Sequence, residues 1–69
     1  MSKIQAVRNM CKRYNMDSNV KRLSSSYGPD IYQNKDGDII ERLSDENCRC
    51  YWHKVTMANG RTFETAKIW

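Results

Sequence analysis

The sequence predicts an α+β fold: an N-terminal amphipathic helix packed on a three- to four-stranded antiparallel meander. Three observations carry this. Residues 1–16 contain no Asp or Glu, and their apolar residues recur at helical spacing. From Tyr27 onward, short β-rich runs alternate with Asp, Asn and Gly turns. At 69 residues the chain allows a single domain, divided into a basic helical part (1–26) and a β-hairpin part (27–69).

The helix is expected from Lys3, capped by Ser2. Ile4, Val7, Cys11 and Tyr14 fall on one face, widened by Met10, while Gln5, Asn9 and Lys12 point away. Asn15 is a helix end. Asp17 or Ser18 can cap a second short helix over Val20 to Leu23. Ser24 to Pro29 connects into the sheet. Strands are expected over Asp30–Gln33, Ile39–Leu43, Cys48–Met57 and Arg61–Trp69. The turns between them are Lys35-Asp36-Gly37-Asp38, Ser44 to Asn47, and Ala58-Asn59-Gly60.

With Asn59 and Gly60 as a two-residue turn, Thr56 faces Phe63, Lys54 faces Thr65, Trp52 faces Lys67 and Cys50 faces Trp69. Their aromatic area makes Cys50, Trp52, Phe63 and Trp69 the expected buried side. Tyr51, His53 and Met57 then decorate the outer side. The reverse assignment exposes Trp52 and Trp69 beside Lys54 and Lys67, a face able to stack bases and track phosphates.

Charge is unevenly placed. Residues 1–26 carry six basic side chains against Asp17 alone, and residues 27–69 carry six against seven, for a net charge of +4. Such a front end attracts anionic partners, either nucleic acid or an acidic protein surface. Arg8, Lys12 and Arg13 form its helical portion. Lys21 and Arg22 could join them on a phosphate backbone if the two helices made a helix–turn–helix, although the second would be short for a recognition helix.

Several chemistries are disfavoured. A chain this short has a thin core, with roughly 3–5 kcal/mol of net stability. It does not easily enclose a ligand pocket of about 300 Å3, which weighs against an enzyme. Cys11, Cys48 and Cys50 read as free thiols, because their number is odd and no secretory signal precedes them. The spacing Cys48-x-Cys50 is atypical for zinc, and on a strand His53 lies on the opposite side from both. The same opposition argues against a Cys50–His53 nucleophile pair, leaving His53 an ordinary surface or cross-strand residue. Asp36, Asp38 and Glu41 supply only a fragment of a calcium loop and read as a turn. No metal or cofactor is expected. No membrane span is present either, since no apolar run approaches 18 residues. The start Met-Ser-Lys-Ile points to a cytoplasmic chain.

The stretch Tyr51-Trp52-His53-Lys54-Val55-Thr56, with Asn59-Gly60, Phe63-Glu64 and Trp69, resembles a hairpin repeat of small bacteriophage and bacterial proteins. A degraded earlier copy is Tyr32, Asp36-Gly37 and Glu41. The resemblance implies a β-meander and a phage or mobile-element setting, with no activity attached. In size and style the chain is similar to anti-CRISPR and related anti-defence proteins, which cover a surface on a larger host protein or ribonucleoprotein.

The expected function is therefore non-enzymatic: a phage-type inhibitor acting by steric occlusion in the host cytoplasm, as a monomer or homodimer. Arg8, Lys12 and Arg13 would meet an acidic surface, with Tyr51, or alternatively Trp52 and Trp69, as the apolar anchor. The alternative is a nucleic-acid-binding regulator using Arg8, Lys12, Arg13, Lys21 and Arg22 with Trp52, Lys54, Lys67 and Trp69.

Overall fold

A row of side chains across four antiparallel strands organises the molecule. Tyr32, Ile40, Val55 and Phe63 stand opposite one another on successive strands, and Ile40 and Val55 have no solvent exposure at all. The computed structural model describes residues 3–23, 30–47 and 49–68. Among these, helix α1 (Lys3–Arg13) is followed by β1 (Val20–Arg22), β2 (Asp30–Asn34), β3 (Ile39–Ser44), β4 (Tyr51–Thr56) and β5 (Thr62–Glu64). The strands form one antiparallel sheet in chain order. The fold is the α+β class predicted, with five strands instead of three to four.

Helix α1 buries Ala6, Val7, Met10 and Cys11. They pack on Val20, Tyr32, Ile40 and Val55, with Ile4, Met16, Met57 and Phe63 closing the sides. The helix ends where the sequence indicates. Asn15 takes a left-handed φ of 58°, the Asn15 N–H donates to the Lys12 carbonyl at 3.3 Å and the Met16 N–H to the Cys11 carbonyl at 2.7 Å. This pair of reversed bonds satisfies carbonyls that the helix end would otherwise leave bare. Tyr14 lies past the helix and is 40% exposed, not part of the buried stripe. The expected cap Ser2 lies outside the described residues.

The second helix is not formed. Val20–Arg22 is an edge strand paired with β2, with Val20 opposite Asn34. Asp17 explains the difference. Its carboxylate does accept a following amide, Asn19 N at 3.2 Å, but the other oxygen accepts the distant Lys35 N at 3.0 Å. The residue chemistry of a helix cap here closes a loop against β2. Without that helix there is no helix–turn–helix.

Both tight hairpins have three-residue loops. Gly37 (φ 89°) and Gly60 (φ 92°) occupy the third loop position. In each, the glycine N–H bonds the carbonyl three residues back, and the residue flanking the loop pairs across it, Asn34 with Asp38 and Met57 with Arg61. This is a tight turn followed by one left-handed residue. The expected two-residue turn at Asn59-Gly60 is therefore wrong by one position. Val55, not Thr56, faces Phe63, and Lys54 faces Glu64. Because strand side chains alternate, one residue of slip exchanges the faces of β4. His53 and Val55 are buried, Tyr51 is half-buried, and Trp52 and Lys54 point to the outer side. Phe63 does face the core, as expected. Cys50, just before β4, is buried.

The last two strands are also shorter than expected, at Tyr51–Thr56 and Thr62–Glu64. Beyond β5 the chain returns to the sheet at Ile68, which exchanges two backbone hydrogen bonds with Tyr51 at 2.8 and 3.0 Å. Ser24 to Pro29, Cys48 and Trp69 lie outside the described residues.

Asp38 locks these pieces together. Its carboxylate accepts Ala58 N at 2.9 Å from the β4–β5 loop and the Asn34 amide at 3.0 Å. Asn34 returns a bond by accepting Asp38 N, and donates again to the Asp17 carbonyl. Both residues are buried. The N–H donors fill both oxygens, so Asp38 acts as a turn hub. Asp38→Ala would strand the Ala58 N–H and an Asn34 donor, at a cost of about 3 kcal/mol. Urea denaturation should show a loss of that size, with Asp38→Asn losing less because it retains an acceptor for Ala58.

Candidate partner-binding surface

The helix does not cover the whole inner face of the sheet. Between α1 and the chain leaving β5 lies a cleft of about 340 Å3. One wall is a helical stripe of Ala6, Met10 and Arg13 continued by Tyr14, and the other is Tyr51, Thr65, Ala66 and Ile68. Two of its lining residues, Ala6 and Ala66, are small. It is an open cleft, not the enclosed pocket that so short a chain does not easily form. Its mouth is apolar: the exposed large hydrophobic residues among those described are Tyr14, Leu23 and Ile68, and two of these line it.

The wall is firmly held. Tyr51 has the Arg42 guanidinium 4.1 Å from its ring centre on β3 and the His53 ring edge-on at 5.9 Å. Tyr14 leans on Phe63, with ring centres 5.7 Å apart. Thr65 is tied to β4 twice: its N–H donates to the His53 carbonyl, and its hydroxyl oxygen accepts the His53 N–H.

His53 sits behind Tyr51 and Thr65 and corrects the surface position expected for it. It is fully buried, and neither ring nitrogen has a hydrogen-bond partner. Burial, helped by the positive charge of Arg42, lowers its pKa from 6.5 to about 4. The Cys11 thiol is equally enclosed. Burial, with the charges of Asp17 and Asp38, pushes its pKa up to about 11.

The sequence-predicted binding residues divide among separate surfaces. Arg8, Lys12 and Arg13 lie on α1, with Lys12 and Arg13 exposed and Arg8 half-buried. No acid lies on this helix. The ion pairs among the described residues run instead to Asp30, from Lys3 and from Arg22, each at 3.0 Å. Arg22 is therefore occupied beside the helix start, while Lys21, its neighbour on β1, points to the other side of the sheet and is exposed. Tyr51 joins the helix at the cleft.

Trp52, Lys54 and Lys67 lie across the sheet from the helix. There Lys54 stands between Glu41 and Glu64 on the adjacent strands. The Trp52 indole N–H donates to Glu64 at 3.0 Å, and the Lys67 ammonium lies 5.0 Å from its ring centre. Trp69, the remaining predicted residue, is outside the described residues. Sequence reasoning missed Ala6, Met10, Thr65, Ala66 and Ile68; the correct hairpin register would have set Tyr51 on the helix side, with no signal for the others beyond the two small alanines. Among the described residues, no His, Cys, Asp and Glu group is arranged to hold a metal, and no helix is long and apolar enough to cross a membrane. No protein-family model, curated protein or solved structure matches the chain.

Two measurements follow from the buried groups. The unfolded chain protonates His53 near 6.5, whereas the folded protein resists until about 4. Stability is thus complete above the higher value and is lost as pH falls towards the lower. At about 1.4 kcal/mol per unit, the loss between pH 7 and pH 5 is about 2 kcal/mol. His53→Phe should remove this loss in paired urea titrations. Cys11 should resist iodoacetamide at pH 8 in the native protein and react once unfolded, read by mass spectrometry of the Cys11 peptide.

Proposed function

We propose that this protein is a non-enzymatic binding protein that covers an acidic surface of a larger protein with its helix side. The observation that carries this is an acid-free basic helix (Arg8, Lys12, Arg13) whose last cation, Arg13, lines an open, mostly apolar cleft. Interfaces take most of their energy from apolar anchors and Arg, and charge complementarity steers encounter. The groups most suited to chemistry support the same reading: Cys11 is buried with a raised pKa, and His53 has no access to solvent.

The proposed action is inhibition by steric occlusion, in the manner of phage-encoded anti-CRISPR proteins. The target would be a host defence or nucleic-acid-processing complex in the host cytoplasm. The small size and the hairpin resemblance support that setting. Nucleic-acid binding through the outer face is less well supported. Trp52 is engaged by Glu64 and Lys67, and two carboxylates flank Lys54. That face interleaves its lysines with Glu41 and Glu64, which weakens the positive field that a phosphate backbone requires.

The reading is tested by capture from a nuclease-treated bacterial lysate, followed by affinity measurement on the recovered protein. Arg8→Glu with Lys12→Glu should weaken binding at least about 30-fold, equivalent to about 2 kcal/mol, with the circular dichroism spectrum unchanged. Unchanged affinity, or capture that depends wholly on nucleic acid, would overturn it.

A further inference from the structure

The cleft beside the basic ridge has the shape and charge of a receptor for one side chain. We propose that it takes a single aromatic or long aliphatic residue projecting from an acidic peptide segment of the partner. The carboxylates of that segment would lie against Arg13, the cation that lines the cleft, with Lys12 next to it at the end of the helix. The inference rests on the binding function proposed above and specifies the ligand chemistry.

Size is the first argument. At about 340 Å3, the cleft is at the small end of the roughly 300–1,000 Å3 range of ligand sites. That suits one large side chain better than the whole apolar face of a helix. The lining is mostly apolar, with Ala6, Met10, Tyr51, Ala66 and Ile68 beside the polar Asn9 and Thr65.

Charge is the second. Arg13 is the one charged residue among those lining the cleft, and the rest of the helix adds cations without an acid. Asp17, the first acid in the chain, already has its two oxygens turned to Asn19 N and Lys35 N. An apolar residue in a neutral segment would satisfy the cleft but leave this field uncompensated. An acidic flank satisfies both.

Preorganisation is the third. The Tyr51 wall is held by paired backbone bonds to Ile68, by Arg42 over its ring and by His53 beside it. A wall fixed before binding costs little ordering entropy on association.

The test uses the full chain and arrayed 12-residue peptides. In one set every flanking position is Asp, Glu or Ser; in the other it is Gln or Ser. The central position carries each amino acid in turn. The acidic set should bind better, and within it a central Trp, Phe, Tyr, Leu or Met should exceed Ala at least tenfold. Ala66→Trp plugs the cleft from an exposed position, with Ala66→Leu as a smaller plug if the indole disturbs folding. The plugged protein should lose the central preference and keep the preference for acidic flanks.

Absence of a central preference, or one that survives the plug, overturns the cleft proposal and leaves the basic-face reading standing. Absence of any preference for acidic flanks overturns the basic-face reading itself. A plugged protein that no longer self-associates, with no peptide selected, would identify a second copy as the occupant and would also overturn the proposal.

Discussion

Asn34 and Asp38 face each other across the loop between β2 and β3, and the arrangement of the other elements depends on them. The two residues exchange side-chain hydrogen bonds, then reach outwards: Asn34 to the loop after the helix, and Asp38 to the β4–β5 loop. A buried carboxylate is costly unless its oxygens are filled. Here the donors come from segments far apart in sequence, so satisfying Asp38 brings the two hairpin loops together. The same network holds the chain between α1 and β1, and with it the position of the helix over the sheet. In so small a domain the hydrophobic row from Tyr32 to Phe63 favours collapse. The polar hub selects one arrangement of the collapsed parts.

The limits of reading this chain from its sequence have the same origin. Helix α1, its end at Asn15 and the sites of both hairpins were legible because period, left-handed Asn and Asp-Gly or Asn-Gly pairs are local signals. The register of the last hairpin was not. Asn-Gly suits a two-residue loop and also a three-residue loop ending in Gly60, and the two differ by one residue. That residue decides whether Trp52 or His53 is buried. Aromatic area pointed to Trp52, but the sheet buries the smaller Val55 and His53 on its inner side and leaves the indole to pack along the outer face against Lys67. Strand β1 was missed because Asp17 carries cap chemistry that a tertiary partner, Lys35, diverts to loop closure.

The face reversal also redistributes the candidate site. Grouping by charge and aromaticity joined residues that lie on opposite sides of the sheet. Once the register is corrected, Lys54 stands between Glu41 and Glu64 on the outer side, while the helix carries its cations without an acid. Tyr51 moves in the other direction, from an isolated outer ring to the wall of the cleft. Its place there has a cost, because His53 is enclosed behind it with both nitrogens unpartnered. An apolar residue in that position would avoid the desolvation penalty, so the imidazole ties the stability of the fold to pH.

The basic ridge itself has an internal role that must be subtracted before a binding role is assigned. Lys12 and Arg13 occupy the last turn of α1, where a cation offsets the negative end of the helix dipole by about 0.3–1 kcal/mol each. The protein has a use for them without any partner. Arg8 has no such account. It lies a full turn earlier, four residues from Lys12, so their like charges repel mildly, and neither of the ion pairs at Asp30 includes it. A helix selected only for stability would gain from an acid at this position, which would pair with Lys12 four residues on. Arg8 is therefore the position where the proposed binding role would separate from the folding role: its charge opposes the isolated helix, and an anionic partner would relieve it.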